Sequence, residues 1–371
     1  MNVLLLFTYE TSLVDWKKSG ILSRELKPYK MLHEKYKITF TFVTYGDDSD
    51  IDLVDEYDFV EVLPIHKYLK KKQNKFYNFI YTLIYINSLL KKNSISFDLI
   101  KTNQLKGSWL AIVIKFVTGK PLIARTGFDL YIFSRENNKG FLKLKFYYLL
   151  TLFTLNISDL YSVSSESDYE FINKKYLFKK DKLKLRRNWI SIKEYEGIKN
   201  RPENKFLTVG RLEKQKDYEY LINLFNSSQY TLDIIGAGSL KNELVSKSEN
   251  NINFLGKLDF DELLKKYKEY KYFIMASNFE GNPKSLVEAM SAGCIVFAPD
   301  IKNIIEIITD GENGYIYSKE LNNLFEILQS TSEIEFNKTS ENAFQFAQKE
   351  YSIDTYIERE WADYLKVTNS N

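Results

Sequence analysis

The chain has 371 residues, 44% of them hydrophobic and 27% charged, with a formal net charge of +3 at pH 7. That length is more than one comfortable core holds and that composition belongs to a soluble globular chain, so two domains of ordinary size are expected. The single cysteine, Cys294, excludes an intrachain disulfide and a cysteine-based zinc site, fits a reducing compartment, and in the run SAGCIVFAP reads as a small buried thiol.

The N-terminus, MNVLLLFTYE, has an apolar run without a basic leader and predicts a buried first strand, not a secretion signal. Short apolar runs then alternate with helical patterns. NVLLLFT is followed by GILSRELKPYKML, then KITFTFVTY, FVEVLPI, a helix near 76–92, FDLIKT, a helix near 108–117, PLIART, another helix, and LYSVSS. Runs too short for helices, separated by helical patterns, indicate βαβ units and a parallel sheet. The longest apolar stretch, Phe146 to Leu155, falls far short of the roughly twenty residues that span a bilayer.

The polar segment EYEGIKNRPENK, 194–205, reads as a linker, and from Lys205 the rhythm restarts. KFLTVG precedes DYEYLINLF, YTLDIIG precedes SLKNELVSK, NINFLG precedes DELLKKY, KYFIMAS precedes a helix after Asn282, and CIVFAP precedes NIIEII. The prediction is an α/β chain of two doubly wound, Rossmann-like domains, 1–190 and 200–350, facing a cleft, with ligands at the carboxyl ends of the strands. The tail predicts two more helices in which Trp361 and Tyr364 are packing residues, the segment 352–371 packing back on the first domain.

Charge is divided unevenly. Residues 1–190 carry 31 Lys/Arg against 20 Asp/Glu, and residues 191–371 carry 21 against 29. Either the basic half meets an anionic surface or its lysines cover a solvated face. In FEGNPKSLVEAMSAG, Phe279 to Gly293, Asn282 is expected to cap a helix and Pro283 to open it. The first turn of that helix presents unbonded N–H groups and the positive end of the peptide dipoles, a site for an anion such as phosphate. Glu280 precedes the site and Glu288 follows it by one to two turns. In RLEKQKD, Arg211 leaves a strand end and Lys216 stands before a helix, so both cations can serve a shared diphosphate.

Other motifs weaken on inspection. IIGAGSLK has Lys241 where a dinucleotide fingerprint needs its third glycine, so Gly236 and Gly238 are expected to form a tight strand-to-helix turn. The aspartates of GDDSDID, 46–52, read as a solvated turn before a divalent-metal site. His33 and His66 lie apart and neither neighbours a nucleophile signature.

The series VGRLEKQKD, LDIIGAGSLKNEL, NFLGKL, FEGNPKSLVEAMSAGCIVFA and IIEIITDGENGYIY, in this order and spacing over about 185–318, resembles the C-terminal domain of family-4 retaining glycosyltransferases of the GT-B fold, bacterial cell-surface polysaccharide type. SLVDWKKSGILSREL resembles their loop after the first strand. The resemblance implies that Glu280 contacts hydroxyls of the transferred sugar and that Glu288 holds the ribose of the nucleotide. It puts Arg211 and Lys216 on the diphosphate, joined by the backbone amides of Lys284, Ser285 and Leu286. It makes Gly256, Lys257 and Leu258 the wall near the base, and Gly20 the glycine that lets the first-domain loop approach the phosphates. One departure concerns the segment after PLIA, where many members carry a histidine and this chain reads RTGFD, with Arg125, Thr126 and Asp129; Asp129 is taken as an acceptor contact.

By this resemblance the first domain faces the acceptor and the second binds the nucleotide sugar. The expected activity is transfer from a UDP- or GDP-sugar to a glycan or lipid-linked acceptor, in O-antigen, capsule or LPS synthesis, with no metal, no cofactor and no nucleic acid. The leaving phosphate takes the acceptor's proton in that family. A glycosidase fits less well, because its two carboxylates flank one bond, whereas Glu288 lies beyond the anion site along an elongated ligand. A nucleotide-sugar epimerase of the same architecture and a non-catalytic nucleotide-sugar or lipid-binding protein remain as rivals. Tyr77, Tyr81 and Tyr85 form a stripe on the helix near 76–92, preceded by HKYLKKKQNK. That helix either lies at an anionic membrane, the chain being cytoplasmic and peripheral on the inner face, or packs on the sheet with half-buried tyrosines. The run KKYLFKKDKLKLRRN, 174–188, suits the same surface or an anionic glycan.

Overall fold

A computed structural model of the chain describes residues 1–191, 194–226 and 228–369. These form two compact units, Met1–Arg186 with Ile357–Asn371, and Arg187–Tyr356.

The first unit is built on seven parallel strands: β1 (Asn2–Leu6), β2 (Thr39–Thr44), β3 (Val60–Pro64), β4 (Leu99–Thr102), β5 (Leu122–Thr126), β6 (Leu160–Val163) and β7 (Leu183–Leu185). Their order is β3-β2-β1-β4-β5-β6-β7, with Leu4 of β1 in register with Thr41 on one side and Ile100 on the other. The chain works outward from β1 to β3, returns to the far side of β1, and works outward again, so the order reverses between β1 and β4. Val3 to Leu6 are all buried because helices cover both faces, which is why such strands read as unbroken apolar runs.

The segment after β1 is set locally. Ser12 and Asp15 close a capping box at the start of the helix Leu13–Lys18. Gly20, at φ +66°, ends it: its N–H bonds to Lys17 O at 2.9 Å and the Ile21 N–H to Trp16 O at 3.0 Å, a reversal that favours a residue without Cβ.

The last helix, Ile353–Thr368, is held on this sheet by buried charge. Lys101 of β4, almost fully buried, pairs with Glu360 and donates to Tyr364 Oη at 3.0 Å, while Arg125 of β5 lies 3.8 Å from Glu360. Arg186 makes a two-pronged bond to Asp363, both arms 2.7 Å. Burial works against the Glu360 carboxylate, but the charges of Lys101 and Arg125 and the bonds from Lys101 and Tyr364 outweigh it and hold the carboxyl below its ordinary value. Trp361 stacks on Tyr36 with centroids 4.8 Å apart.

The second unit has six parallel strands: β8 (Lys205–Val209), β9 (Thr231–Ile235), β10 (Ile252–Gly256), β11 (Tyr272–Ile274), β12 (Ile295–Pro299) and β13 (Tyr315–Tyr317), in the order β10-β9-β8-β11-β12-β13. The order reverses between β8 and β11, so the loops following these two strands leave the same sheet edge side by side. One core layer is centred on Phe206, Phe225, Tyr272 and Phe297; the other, on the opposite face, on Phe273, Leu286, Met290 and Val296. Cys294 sits in the second layer, its thiol pushed up to about 12 by burial, which makes it an inert packing group.

Candidate functional site

The loops at the reversal of the second sheet carry the chemistry. After β8 the chain turns through Gly210, Arg211 and a short 3-10 turn, Lys214–Lys216, into the helix Tyr218–Asn226. The turn after β9 is laced to it: Gly210 N–H bonds to Ile235 O at 3.0 Å and Leu212 N–H to Ala237 O at 3.0 Å. A Cβ on Gly236 would sit 1.9 Å from Gly210 O, and one on Gly238 would sit 2.4 Å from Leu212 O. Both glycines are therefore required by backbone approach, the tight turn expected from the sequence.

The loop after β11 is fastened to the same turn. Asn278 N–H donates to Gln215 O at 2.9 Å, and Gln215 Nε2 donates to Phe279 O at 2.8 Å. Lys319 clamps the outside, donating to Asp217 at 2.7 Å and to Asn278 at 2.9 Å, with Asp217 in the left-handed region at φ +49°. These bonds deliver Lys216 Nζ to within 2.5 Å of Glu280 Oε1, and Ser277 Oγ donates to the same oxygen at 2.5 Å. Glu280 is buried while Arg211, at the strand end, is exposed. An acceptor-only carboxylate is thus fixed beside a cation, with a second cation open to solvent in the same turn.

The helix Lys284–Ser291 follows. Asn303 Nδ2 donates to Gly281 O at 2.6 Å and holds its approach. Glu288, on its second turn, is buried, and Tyr267 Oη donates to its Oε2 at 3.2 Å. The positive end of the helix and Lys216 make this sheet edge suited to an anion, with the acidic side chain of Glu280 beside it.

The sequence model of the family described as "Glycosyl transferases group 1" matches residues 192–344. The O-antigen biosynthesis glycosyltransferase WbnH of Escherichia coli is 31% identical over 241 residues, 63% of this chain and 67% of that protein. The chain belongs to the group 1 glycosyl transferases. An uncharacterised 41.2 kDa protein in the cps region of Klebsiella pneumoniae is 29% identical over 197 residues, 48% of this chain and 55% of the Klebsiella protein. The match thus spans about half the length of such curated relatives. HepE of Anabaena, whose crystal structure is a complex with UDP and glucose, superposes with a TM-score of 0.72 at 18% identity, covering 99% of each chain. At that identity the likeness speaks for the fold, which is GT-B.

The structure brings Lys216, Glu280 and the start of the 284–291 helix together on adjoining loops, with Arg211 at the same strand end. Three expectations are corrected. Asn282 does not stand at the cap: the helix starts one residue later, Pro283 occupies the cap position without a side-chain bond, and Asn282 Oδ1 accepts from Asn188 Nδ2 at 3.1 Å. Leu286 N–H is spent on Pro283 O at 3.1 Å, so Lys284 and Ser285 alone precede the first intrahelical bonds. Asp129 is not offered to an acceptor: fully buried, it caps the helix Leu130–Glu136, accepting from Tyr131 and Ile132 N–H at 2.9 and 3.0 Å and from Thr151 at 3.3 Å. Its carboxyl is pushed up to about 6 by burial.

Gly256 sits at φ +78° beyond a register shift in β10, and its carbonyl accepts from Gly236 N–H at 2.7 Å. Lys257 is exposed beside it and Leu258 packs on the core. Gly20 lies in the first unit. In GDDSDID, Asp50 is fully buried and accepts from Val14 N–H at 3.0 Å, while Asp48 pairs with Lys67 at 2.6 Å. No three His, Cys, Asp or Glu converge among the described residues. Sequence reasoning missed Ser277 and Gln215, which set Glu280; a hydroxyl three residues before the glutamate was the available signal.

Proposed function

We propose that the chain is a retaining glycosyltransferase that moves a sugar from a nucleoside diphosphate donor, UDP- or GDP-linked, to a glycan or lipid-linked acceptor in O-antigen, capsule or LPS assembly, on the cytoplasmic side of the cell. The observation that carries it is the Lys216–Glu280 contact of 2.5 Å at the point where the strand order reverses. When the bond from the sugar's anomeric carbon to the diphosphate breaks, the ring gains positive and the leaving group negative charge. Arg211, Lys216 and the amides of Lys284 and Ser285 neutralise the leaving diphosphate, so that no step calls for a metal ion. Glu280 accepts from hydroxyls of the donor sugar, and Glu288 takes the ribose. The departing phosphate oxygen then removes the proton of the attacking acceptor hydroxyl, whose oxygen bonds to the anomeric carbon on the same face. The names of WbnH and of the HepE complex support a sugar nucleotide donor and a surface glycan product.

The test is transfer by Glu280→Ala and Arg211→Ala. Each is expected to lose about a hundredfold in rate, roughly 3 kcal/mol of barrier, while circular dichroism stays unchanged. Full activity in both overturns the assignment. Dependence of turnover on an added acceptor separates transfer from epimerisation. A thermal-shift screen across nucleotide sugars names the donor, since a ligand bound only by the folded chain raises its melting point.

A further inference from the structure

The first unit carries an apolar surface that its fold does not use. The helix Lys75–Lys92 buries Ile86, Leu89 and Leu90 together with Asn78 and Thr82, and still leaves Phe76 and Ile84 66% and 65% exposed. The helix Phe141–Ile157 buries Leu150, Thr151, Thr154 and Leu155, and still shows a second stripe outward, Leu142, Phe146, Leu149 and Phe153, at spacings of four, three and four. Leu142 is 82% exposed. The ring of Trp109, on the helix Ser108–Thr118, joins the two helices, its centroid 5.6 Å from Phe79 and 5.0 Å from Phe146. The exposed groups therefore lie on neighbouring helices of one unit, not scattered singly.

Charge says what covers this surface. These three are the only helices longer than four residues, among the described residues, that contain no carboxylate. Over residues 62–158 there are 16 Lys/Arg against three acids, Asp98, Asp129 and Glu136, and Asp129 is buried. Lys75 is neutralised by Glu10 at 2.6 Å, but Lys70, Lys71, Lys143 and Lys145 are exposed and pair with no carboxylate. Protein interfaces are depleted in lysine, whereas lysine beside Phe, Tyr and Leu is the make-up of segments lying in the headgroup layer of an anionic bilayer. No described helix is long and apolar enough to cross a membrane.

We propose that the helices 75–92 and 141–157, bridged by Trp109, form a monotopic membrane-docking face that inserts Phe76, Ile80, Leu142 and Phe146 among the acyl chains of an anionic bilayer while the flanking lysines meet lipid phosphates. This goes beyond the donor site and stands on the first unit alone. The test is co-sedimentation of the full chain with vesicles of phosphatidylcholine, alone or mixed with phosphatidylglycerol. The wild type pellets with the anionic vesicles, less so as salt is raised. The double variant Leu142→Glu/Phe146→Glu, with both positions exposed and its melting curve unchanged, partitions at least about tenfold less. Changing Lys70, Lys71, Lys143 and Lys145 together to Gln removes the preference for anionic over neutral vesicles. Donor hydrolysis by the Leu142→Glu/Phe146→Glu variant equals that of the wild type, which separates a failure here from a failure of the transferase assignment. The proposal is overturned if the wild type does not pellet with anionic vesicles or if the double variant pellets equally. It is also overturned if sedimentation velocity finds a dimer that the double variant dissociates while vesicle binding is absent, since the face is then an interface between copies.

Discussion

Changing Lys216 to Ala separates two jobs that the side chain holds at once. In the folded chain its ammonium lies 2.5 Å from Glu280 Oε1, with the two side chains 16% and 7% exposed. At that distance and an effective dielectric of about 20 the gross attraction is about 6.6 kcal/mol. Desolvation offsets much of this, and breaking one side of a buried pair costs about 3–5 kcal/mol. Because Lys216 keeps some solvent, the lower end applies, and about 3 kcal/mol lowers the melting temperature of a unit this size by roughly 6–12 °C. The lost cation also costs about 3 kcal/mol of stabilisation of the leaving diphosphate, roughly a hundredfold in rate. Melting curves and initial transfer rates are measured for Lys216→Ala, Glu280→Gln and the double variant, with rates taken well below each melting point. Stability recovers in the double variant, where no buried charge is left alone, whereas transfer stays low. The reasoning is refuted if Lys216→Ala transfers sugar as fast as the wild type, or if the double variant is as unstable as Lys216→Ala.

Gly236→Ala drives a methyl group to 1.9 Å from Gly210 O, backbone against backbone; a melting temperature within a degree or so of the wild type would contradict the close approach of the two turns. Lys101→Met leaves Glu360 buried without its nearest cation and is expected to cost about 3–5 kcal/mol in urea unfolding of the first unit, with a cost below about 1 kcal/mol arguing against the anchored last helix. For Asp129 the folded carboxyl, at about 6, holds its proton more tightly than the unfolded one at 3.8. Its contribution to stability is therefore fully present below about pH 4 and is lost as pH rises through about 6, by at most roughly 3 kcal/mol. Asp129→Asn keeps an acceptor for Tyr131 and Ile132 N–H but cannot ionise, so its unfolding free energy should vary less than that of the wild type between those limits; parallel profiles would rule this out.

Both sheets were legible in the sequence, as were the tight turn at Gly236 and Gly238 and the loops that carry Arg211, Lys216 and Glu280. Burial on both faces writes itself as unbroken apolar runs, and helices write their period, so neighbouring residues suffice to read them. The edge strands β7 and β13, three residues each, gave no such run and were absent from the predicted elements. Local preference also misjudged Asn282, a good cap by composition, because its side chain is taken by Asn188, 94 positions away. It likewise could not show that Asp129 caps a buried helix, or that Ser277 and Gln215 set Glu280.

What the sequence alone determined about this protein is the architecture and the chemical kinds present at the strand ends. Only the tertiary structure decided which charges meet. Lys216 reaches Glu280 across 64 positions and Lys101 reaches Glu360 across 259, and the fold leaves Phe76, Ile84, Leu142 and Phe146 exposed. A contact of that kind depends on the packing of distant segments, and short-range patterning carries no record of it.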